Sequence, residues 1–160
     1  MMEEKNIAVH LNPVWRDRAD FIIMARLKED ELEGRFEQLW ARQLGENRFE
    51  ICCIPFFIYD LDLGDHVEAA SQEDIQYLIQ KVVWKSGHYT FRVWFGETTD
   101  AGSSDKLMNK LEGMGCLWEW HSQRLAGIDA PSQEKAQEVA QYMAEQSELG
   151  HLVYETGRRE

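Results

Sequence analysis

The chain has 160 residues, of which 44% are hydrophobic and 29% charged, so it can bury a core as one domain or as two small units that share one. Its 29 acidic and 17 basic residues give a net charge of −12, which repels phosphate backbones, disfavours nucleic-acid binding and favours a cationic protein partner. No run approaches the roughly 18 apolar residues that a membrane-spanning helix needs, so no membrane partner is predicted.

The cysteines and the first residues of the chain indicate a reducing compartment. Cys52 and Cys53 are adjacent, and neighbours on a strand point to opposite faces, so a disulfide between them would be strained. Met1–Asn6 lacks the basic and then apolar pattern of a secretory leader. These features predict a cytoplasmic protein in which the two neighbouring cysteines are buried, reduced core residues.

The first half of the chain has the alternation of apolar and polar residues that predicts strands. Residues 1–19 are expected to form a polar arm, and Phe21–Leu27 alternates as a half-buried strand does. The spacing in Phe36–Leu44 also suits a helix, but its position between a strand and the turn at Gly45–Asn47 favours a strand.

The most apolar stretch of the chain, Phe49–Tyr59, is interrupted by Pro55. Its β-branched and aromatic residues and the internal proline predict two short buried strands hinged at Pro55 rather than a helix. A turn at Gly64 and Asp65 then returns the chain into another strand, in the manner that closes small barrels.

Two further strands, Ile75–Trp84 and His88–Phe95, are predicted to be antiparallel, joined by a tight turn at Ser86 and Gly87. Because they connect the two halves of the chain, they are expected to lie in one shared sheet. Four side chains of the second strand should share the face that packs against helices: Tyr89, Phe91, Val93 and Phe95.

After Gly96 the pattern changes to helices and strands in turn. One helix is predicted from a cap at Ser103–Asp105 to Met114, and a second helix after Ala130–Ser132. Strands are predicted at Cys116–Ser122, Leu125–Ala130 and Leu152–Tyr154. With the strand that begins at residue 88, the order is βαββαβ, which is the ferredoxin-like order.

Together these elements predict an α+β protein with an antiparallel β-barrel-like N-terminal half fused to a ferredoxin-like (βαββαβ) C-terminal half. The predicted boundaries are residues 1–19 for the arm, 20–87 for the barrel-like part and 88–160 for the ferredoxin-like part. No low-complexity linker separates the two halves, so a single folding unit is expected.

Several specific motifs distributed along nearly the whole chain are shared with one family. They are Asn12–Phe21, Glu37–Arg42, Arg48–Phe57, Gly64–Asp65, Ser86–Gly87, Phe91–Gly96, Glu119–Ser122, Ile128–Ala130 and Tyr154–Gly157. In these motifs the chain resembles a bacterial family of domains of unknown function, the one numbered 4265. His121 departs from the family pattern, in which a serine is expected before Ser122. The resemblance implies one intact unit and no assigned activity.

No catalytic or cofactor motif is recognised in the sequence, and no cofactor or metal is predicted. The chain has no Gly-x-Ser-x-Gly elbow and no glycine-rich phosphate loop. Asp60, Asp62, Asp65 and Glu68 could attract a hard cation, but their spacing is not that of a calcium loop, so a solvated acidic rim is favoured. Whether the protein is an enzyme is left open, with no catalytic residue proposed.

A partner-binding site is predicted on the second half of the chain. Alternation puts Arg92 and Trp94 on the face opposite the helices, and Glu119 and His121 are expected on a neighbouring strand on the same open side. Trp94 is the candidate anchor, with a buried Trp94 as the alternative. Three aspartates are expected to form an acidic frame around this site: Asp60, Asp62 and Asp65.

Two classes of function follow from these features. The first is a protein-binding module, most concretely an immunity-type protein that neutralises a basic toxin, because charge attraction speeds the capture of a cationic partner. The second is a regulator that senses a small molecule or a nucleic acid, or an enzyme, acting in the cleft between the two halves.

Overall fold

The alternating segments of the first half form six strands. In the computed structural model, which describes residues 6–28, 34–72, 74–96 and 101–159, these strands are β1 (Ile7–Ala8), β2 (Phe21–Arg26), β3 (Phe36–Gly45), β4 (Arg48–Ile51), β5 (His66–Gln72) and β6 (Ile75–Trp84). The strand predicted at Phe36–Leu44 is confirmed, because β3 pairs with β2 on one side and with β4 on the other.

Five of these strands close into a barrel. β2, β3, β4, β5 and β6 pair in succession and antiparallel, and β6 returns to β2 through a parallel contact of Met24 with Leu78. β1 adds to the outside edge of β3. The interior is filled by residues from the inward faces of the strands and from the segment after β4: Ile23, Ala25, Leu39, Ala41, Phe49, Ile51, Cys53, Leu61, Val67 and Ala69.

The second half forms a four-stranded antiparallel sheet with two helices. Its strands are β7 (Tyr89–Trp94), β8 (Leu117–Trp120), β9 (Leu125–Ala130) and β10 (Val153–Thr156), in the order β10-β7-β9-β8. The helices α1 (Ala101–Gly113) and α2 (Gln133–Glu148) cover one face of this sheet. The fold is therefore mixed α+β, as the alternation of elements predicts.

The helix-facing side of β7 is the one that the sequence predicts. Phe91 and Val93 are buried against apolar side chains of both helices, among them Leu111 on α1 and Val139 on α2. The second helix begins where the sequence predicts, and Ser132 caps it: the Ser132 hydroxyl accepts a hydrogen bond from the Lys135 backbone N–H. Across the described ranges, neither helix is long and apolar enough to cross a membrane.

The start of α1 differs from the prediction. The helix already includes Ala101, so Ser104 lies inside it and is buried instead of capping its first turn. The predicted end is confirmed by Gly115, whose positive φ of 91° stops the helix in the left-handed conformation that glycine adopts without strain.

The prediction that the strands at 75–84 and 88–95 share a sheet is wrong. β6 belongs to the barrel and β7 to the second sheet. β6 pairs with β5 along its length and with β2 at Leu78, whereas both edges of β7 are paired with β9 and β10. The short link Lys85–His88 therefore passes from one sheet to the other.

The prediction of two strands hinged at Pro55 is half wrong. Arg48–Ile51 is a strand, but residues 52–65, here called the central segment, contain neither helix nor strand. The backbone N–H groups of Ile54, Phe56 and Phe57 donate to buried carboxylates instead of to a neighbouring strand. The segment is nevertheless deeply buried, and both Cys52 and Cys53 have no solvent exposure, as predicted.

The central segment packs on the face of the second sheet that the helices leave uncovered. It approaches the sheet closely at Gly127 on β9, where a Cβ atom would lie 3.0 Å from a methyl group of Ile54 and 3.3 Å from the ring of Phe56. A glycine at this position therefore lets the segment fill the space between the barrel and the sheet.

We expect Gly127→Ala to lower the free energy of unfolding by about 1–3 kcal/mol, because the added methyl group overpacks the contact with Ile54 and Phe56. Gly113→Ala is the matched control, since a Cβ there meets nothing within 4 Å. Urea melts of the two variants should show a fall in midpoint only for Gly127→Ala. Equal midpoints would contradict this account of the segment's packing.

Candidate functional site

A buried histidine, His10, connects the arm to both sheets. Its Nδ1 lies 2.7 Å from a carboxylate oxygen of Glu119 on β8, and its Nε2 lies 2.7 Å from a carboxylate oxygen of Glu37 on β3. The ring also stacks on Phe56, with centroids 4.2 Å apart and planes 6° from parallel. We call His10, Glu37 and Glu119 the His10 clamp.

The two carboxylates of the clamp also bind the backbone of the central segment. Glu37 accepts hydrogen bonds from the N–H groups of Phe56, Phe57 and Ile58 at 2.7 to 3.0 Å. Glu119 accepts one from Ile54 at 2.6 Å. An ionised carboxylate is an acceptor only, so each must be met by a donor on the imidazole. Both ring nitrogens of His10 therefore carry a proton, and the ring is an imidazolium.

Electrostatics in the clamp agree with this assignment. Burial favours the neutral form of His10, but its interactions with Cys53 and with the two carboxylates outweigh burial and raise its pKa to about 12. Burial likewise opposes ionisation of Glu37, yet the hydrogen bond and charge of His10 lower the pKa of that carboxyl. The His10 and Glu37 side chains have no solvent exposure, so the clamp stabilises the fold and offers no access to a substrate.

The aspartates predicted as a solvated acidic rim are mostly interior. Asp62 and Asp65 have no solvent exposure, and the ammonium group of Lys85 bridges them at 3.0 and 2.5 Å. Asp62 also accepts a hydrogen bond of 2.7 Å from the Thr90 hydroxyl and pairs with Arg158. The prediction of a rim is wrong because these carboxylates tie the central segment to β7 and to the C-terminal residues.

A partly exposed pair, His88 and Asp129, lies beside these aspartates. The Nδ1 of His88 is 2.9 Å from Asp129, and this hydrogen bond, opposed by partial burial, raises the pKa of His88. A nearby hydroxyl does not complete a catalytic arrangement, because Ser86 donates to the carbonyl of Leu63 and accepts from the backbone N–H of His88.

The face of β7 predicted to be open is largely covered. Arg92, Gly127 and Glu119 lie level with one another across β7, β9 and β8, beneath the central segment. Arg92 and Glu119 are only 4% and 3% exposed to solvent. Arg92 donates to the carbonyl of Ile58 and stacks over the ring of Tyr59. The expectation of an open face is thus wrong at these two residues.

The same face is exposed one row further along the sheet. Trp94 is 42% exposed, and Val153, directly opposite it on β10, is 64% exposed. On the neighbouring row, Tyr59 donates a 2.6 Å hydrogen bond to Glu155. We call Trp94 and Val153, with Tyr59 and Glu155 beside them, the Trp94 patch. The alternative of a fully buried Trp94 is excluded.

His121, another of the predicted site residues, contacts the central segment rather than the Trp94 patch. Its ring packs against Phe56 and Phe57, with centroids 5.0 and 4.9 Å away. Its Nδ1 is buried with no hydrogen-bond partner in the described part of the chain. Burial lowers the pKa of His121 against the opposing charge of Glu37, and the charge of His10 adds to the lowering, so the ring is neutral at pH 7.

A cleft of about 620 Å³ opens beside His121. Leu11 and Asn12 of the arm form one side, and Trp120 at the end of β8 lies on another. Arg124 also lines the cleft, and it donates a 2.7 Å hydrogen bond to the carbonyl of Gly96. Among the residues that the structure describes, no group of three or more histidine, cysteine or acidic side chains is placed to hold a metal ion.

The chain is similar to known proteins in both sequence and fold. Its sequence matches the domain of unknown function DUF4265 over residues 37–154, a range that includes Glu37, Trp94 and Glu119. The chain belongs to the DUF4265 family. No functionally curated protein matches it.

The fold of this DUF4265 protein is similar to that of a hypothetical protein from Neisseria gonorrhoeae of known crystal structure. The TM-score is 0.73 at 15% sequence identity, and the match covers 86% of this chain and 93% of the other. At this level of identity the similarity extends to the fold alone.

No pattern in the sequence of the DUF4265 protein identified His10, which joins the two carboxylates of the clamp. His10 lies 27 positions from Glu37 and 109 from Glu119, so no local spacing marks the clamp. In the sequence, His10 is marked only by being a histidine within the predicted polar arm. Asp129 was missed for the same reason, because its partner His88 is 41 positions away.

We expect His10→Gln to lower the free energy of unfolding by about 3–5 kcal/mol, because it leaves two buried carboxylates without their cation. His66→Gln is the control, since His66 is partly exposed and lies 3.8 Å from its partner Glu50. That change should cost about 1 kcal/mol or less. Urea or thermal melts measure both, and similar losses would contradict the central role of the clamp.

Proposed function

We propose that the protein is an immunity-type binding module that neutralises a basic protein, most concretely a toxin, by docking it along the β10 edge of the second sheet. The observation that carries this proposal is the exposure of Trp94 on a rigid, well-buried support. Its neighbours in β7, Val93 and Arg92, are buried, so the strand that carries the ring is fixed before a partner arrives. Tryptophan anchors of this kind contribute a large share of interface energy.

The edge strand β10 is flanked by features that suit a cationic partner. Val153 and Glu155 of β10 belong to the Trp94 patch, while α2 packs against β10 from the helix side. The outer face of α2 carries four exposed glutamates: Glu134, Glu138, Glu145 and Glu148. A partner that covers the β10 edge can therefore contact the aromatic anchor and this acidic helix together.

The distribution of charge supports attraction of a cation to the surface of α2, although not to the aspartates first expected. Asp62 and Asp65 are neutralised internally by Lys85 and Arg158 and do not contribute a surface frame. These two aspartates and two cations cancel one another, so the net charge of −12 is carried by other residues, among them the exposed glutamates of α2. Such a field speeds association with a basic protein and is weakened by salt.

Two finer assignments accompany this proposal. We assign the second sheet to the ferredoxin-like class, which the element order βαββαβ and the strand order β10-β7-β9-β8 support. We also assign the protein to the cytoplasm, where toxin neutralisation of this type would occur. Three buried, free cysteines are consistent with a reducing compartment.

We expect Trp94→Ala to weaken partner binding by about 2 kcal/mol, or roughly 30-fold in Kd. Basic proteins are captured from lysate of the source cells with the immobilised chain, purified and measured by calorimetry. Trp84→Ala is the matched control, because Trp84 is 54% exposed but lies on the barrel. Urea melts should show that Trp94→Ala loses less than the roughly 3–5 kcal/mol that a core tryptophan contributes.

The captured protein must meet three conditions to support the proposal. Its affinity must depend on Trp94 and not on Trp84, its association must slow between 0.1 and 1 M salt, and its expression must arrest growth unless the wild-type chain is coexpressed. A binder that ignores Trp94, or that is harmless when expressed alone, contradicts the proposed function.

A second candidate function is binding of a small molecule in the cleft beside His121. A volume of about 620 Å³ lies within the usual range of ligand sites, and Phe95 and Trp120 supply aromatic surface next to the polar group of Asn12. Native mass spectrometry of the purified protein distinguishes this candidate. A small molecule that stays bound to the wild-type protein under native conditions, but is lost from the Trp120→Ala variant, would favour ligand binding in the cleft over toxin neutralisation.

A further inference from the structure

A separate groove of about 420 Å³ lies between α1 and α2, on the helix-covered side of the second sheet. Its lining includes two apolar side chains that are almost fully buried, Phe95 and Leu107. The Trp94 patch is on the other face of the sheet. The groove is therefore independent of the docking surface proposed above.

One wall of this groove is unexpectedly basic. Lys106 and Lys110 both line it and are four residues apart on α1, so they project from the same side of the helix. Neither lysine forms an ion pair with another described residue, and no acidic residue among those described lines the groove. Like charges at this spacing weaken a helix slightly, so the stability of α1 does not explain them.

The placement is also unexpected in a chain of this composition. Acidic residues outnumber basic ones by 29 to 17, and most other cations near the core are already paired, such as Lys85 and Arg158 with Asp62. Two ammonium groups that have no ion-pair partner among the described residues, placed around a concave and partly apolar space, form a local field opposite to that of the whole protein. Such a field attracts and orients an anion.

The opposite wall supplies hydrogen-bond donors in fixed positions. The Nδ1 of His151 lies 2.7 Å from the side-chain oxygen of Gln146, and its backbone N–H donates to the Gln146 carbonyl. This arrangement leaves the amide N–H groups of Gln146 as donors. Burial, with a smaller contribution from Glu145, raises the pKa of Tyr142, so its hydroxyl stays protonated and can donate as well.

We propose that this groove, which we call the lysine groove, binds a small organic anion. The carboxylate, sulfonate or phosphate head would be held by Lys106 and Lys110, and an aromatic or aliphatic body would lie on Phe95 and Leu107. This combination of convergent polar donors and an apolar floor is the usual composition of a small-molecule site. The volume suits a ligand of modest size rather than a macromolecule.

The test uses 8-anilinonaphthalene-1-sulfonate, an aromatic sulfonate, as the probe, with neutral N-phenyl-1-naphthylamine for comparison. Calorimetry and fluorescence titration of the full chain should show one saturable sulfonate site. The double variant Lys106→Gln with Lys110→Gln should weaken it by at least about tenfold, since hydrogen bonds to charged groups are lost. Lys81→Gln, at an exposed strand position on the barrel, is the matched control and should leave affinity unchanged.

Urea melts test whether the double variant remains folded. Changes in the amide chemical shifts of Lys106, Lys110 and His151 during titration with the sulfonate show whether the probe binds in the lysine groove. Three results would overturn the proposal: no saturable binding, equal affinity in the double variant and the wild type, or an equal loss for the neutral probe. The last result would mean that apolar contact, rather than charge, governs recognition. None of these outcomes depends on the proposed docking of a basic protein.

Discussion

The fold depends on one buried cation held between two carboxylates. Glu37 belongs to the barrel, Glu119 to the second sheet and His10 to the arm, so the clamp joins all three parts at a single point. Each charge is costly to bury alone, but together, and with backbone N–H groups of the central segment as further donors, the cluster is satisfied. The barrel and the sheet therefore have one defined relation to each other.

The clamp also determines which surface is left for recognition. By fixing the backbone of the central segment, it holds Ile54 and Phe56 over Gly127 and closes most of the sheet face that the helices do not cover. Arg92 is buried in this interface, whereas Trp94, two residues further along β7 on the same face, remains exposed. The same constraint that stabilises the molecule thus presents an aromatic side chain on a rigid support at the β10 edge.

Local patterns in the sequence were sufficient to predict most strands, both helices and the side of β7 that packs against the helices. Period-two alternation and the apolar stripe of a helix are each encoded within a few residues. They failed at the central segment, whose conformation is set by carboxylates far away in sequence. The parity of Trp94 was predictable, but its exposure and the burial of Arg92 were not, since both depend on where that segment lies. His10 could not be identified because its partners are distant.

The protonation state of His10 tests the account most directly. Two-bond ¹H–¹⁵N spectra of the histidine side chains between pH 6 and 9 report whether each ring nitrogen carries a proton, and His10→Gln assigns the signal. The account predicts that His10 remains an imidazolium with both nitrogens protonated across this whole range, in keeping with a pKa raised to about 12. A neutral His10 ring at pH 8, or titration near the ordinary value of about 6.5, would contradict it.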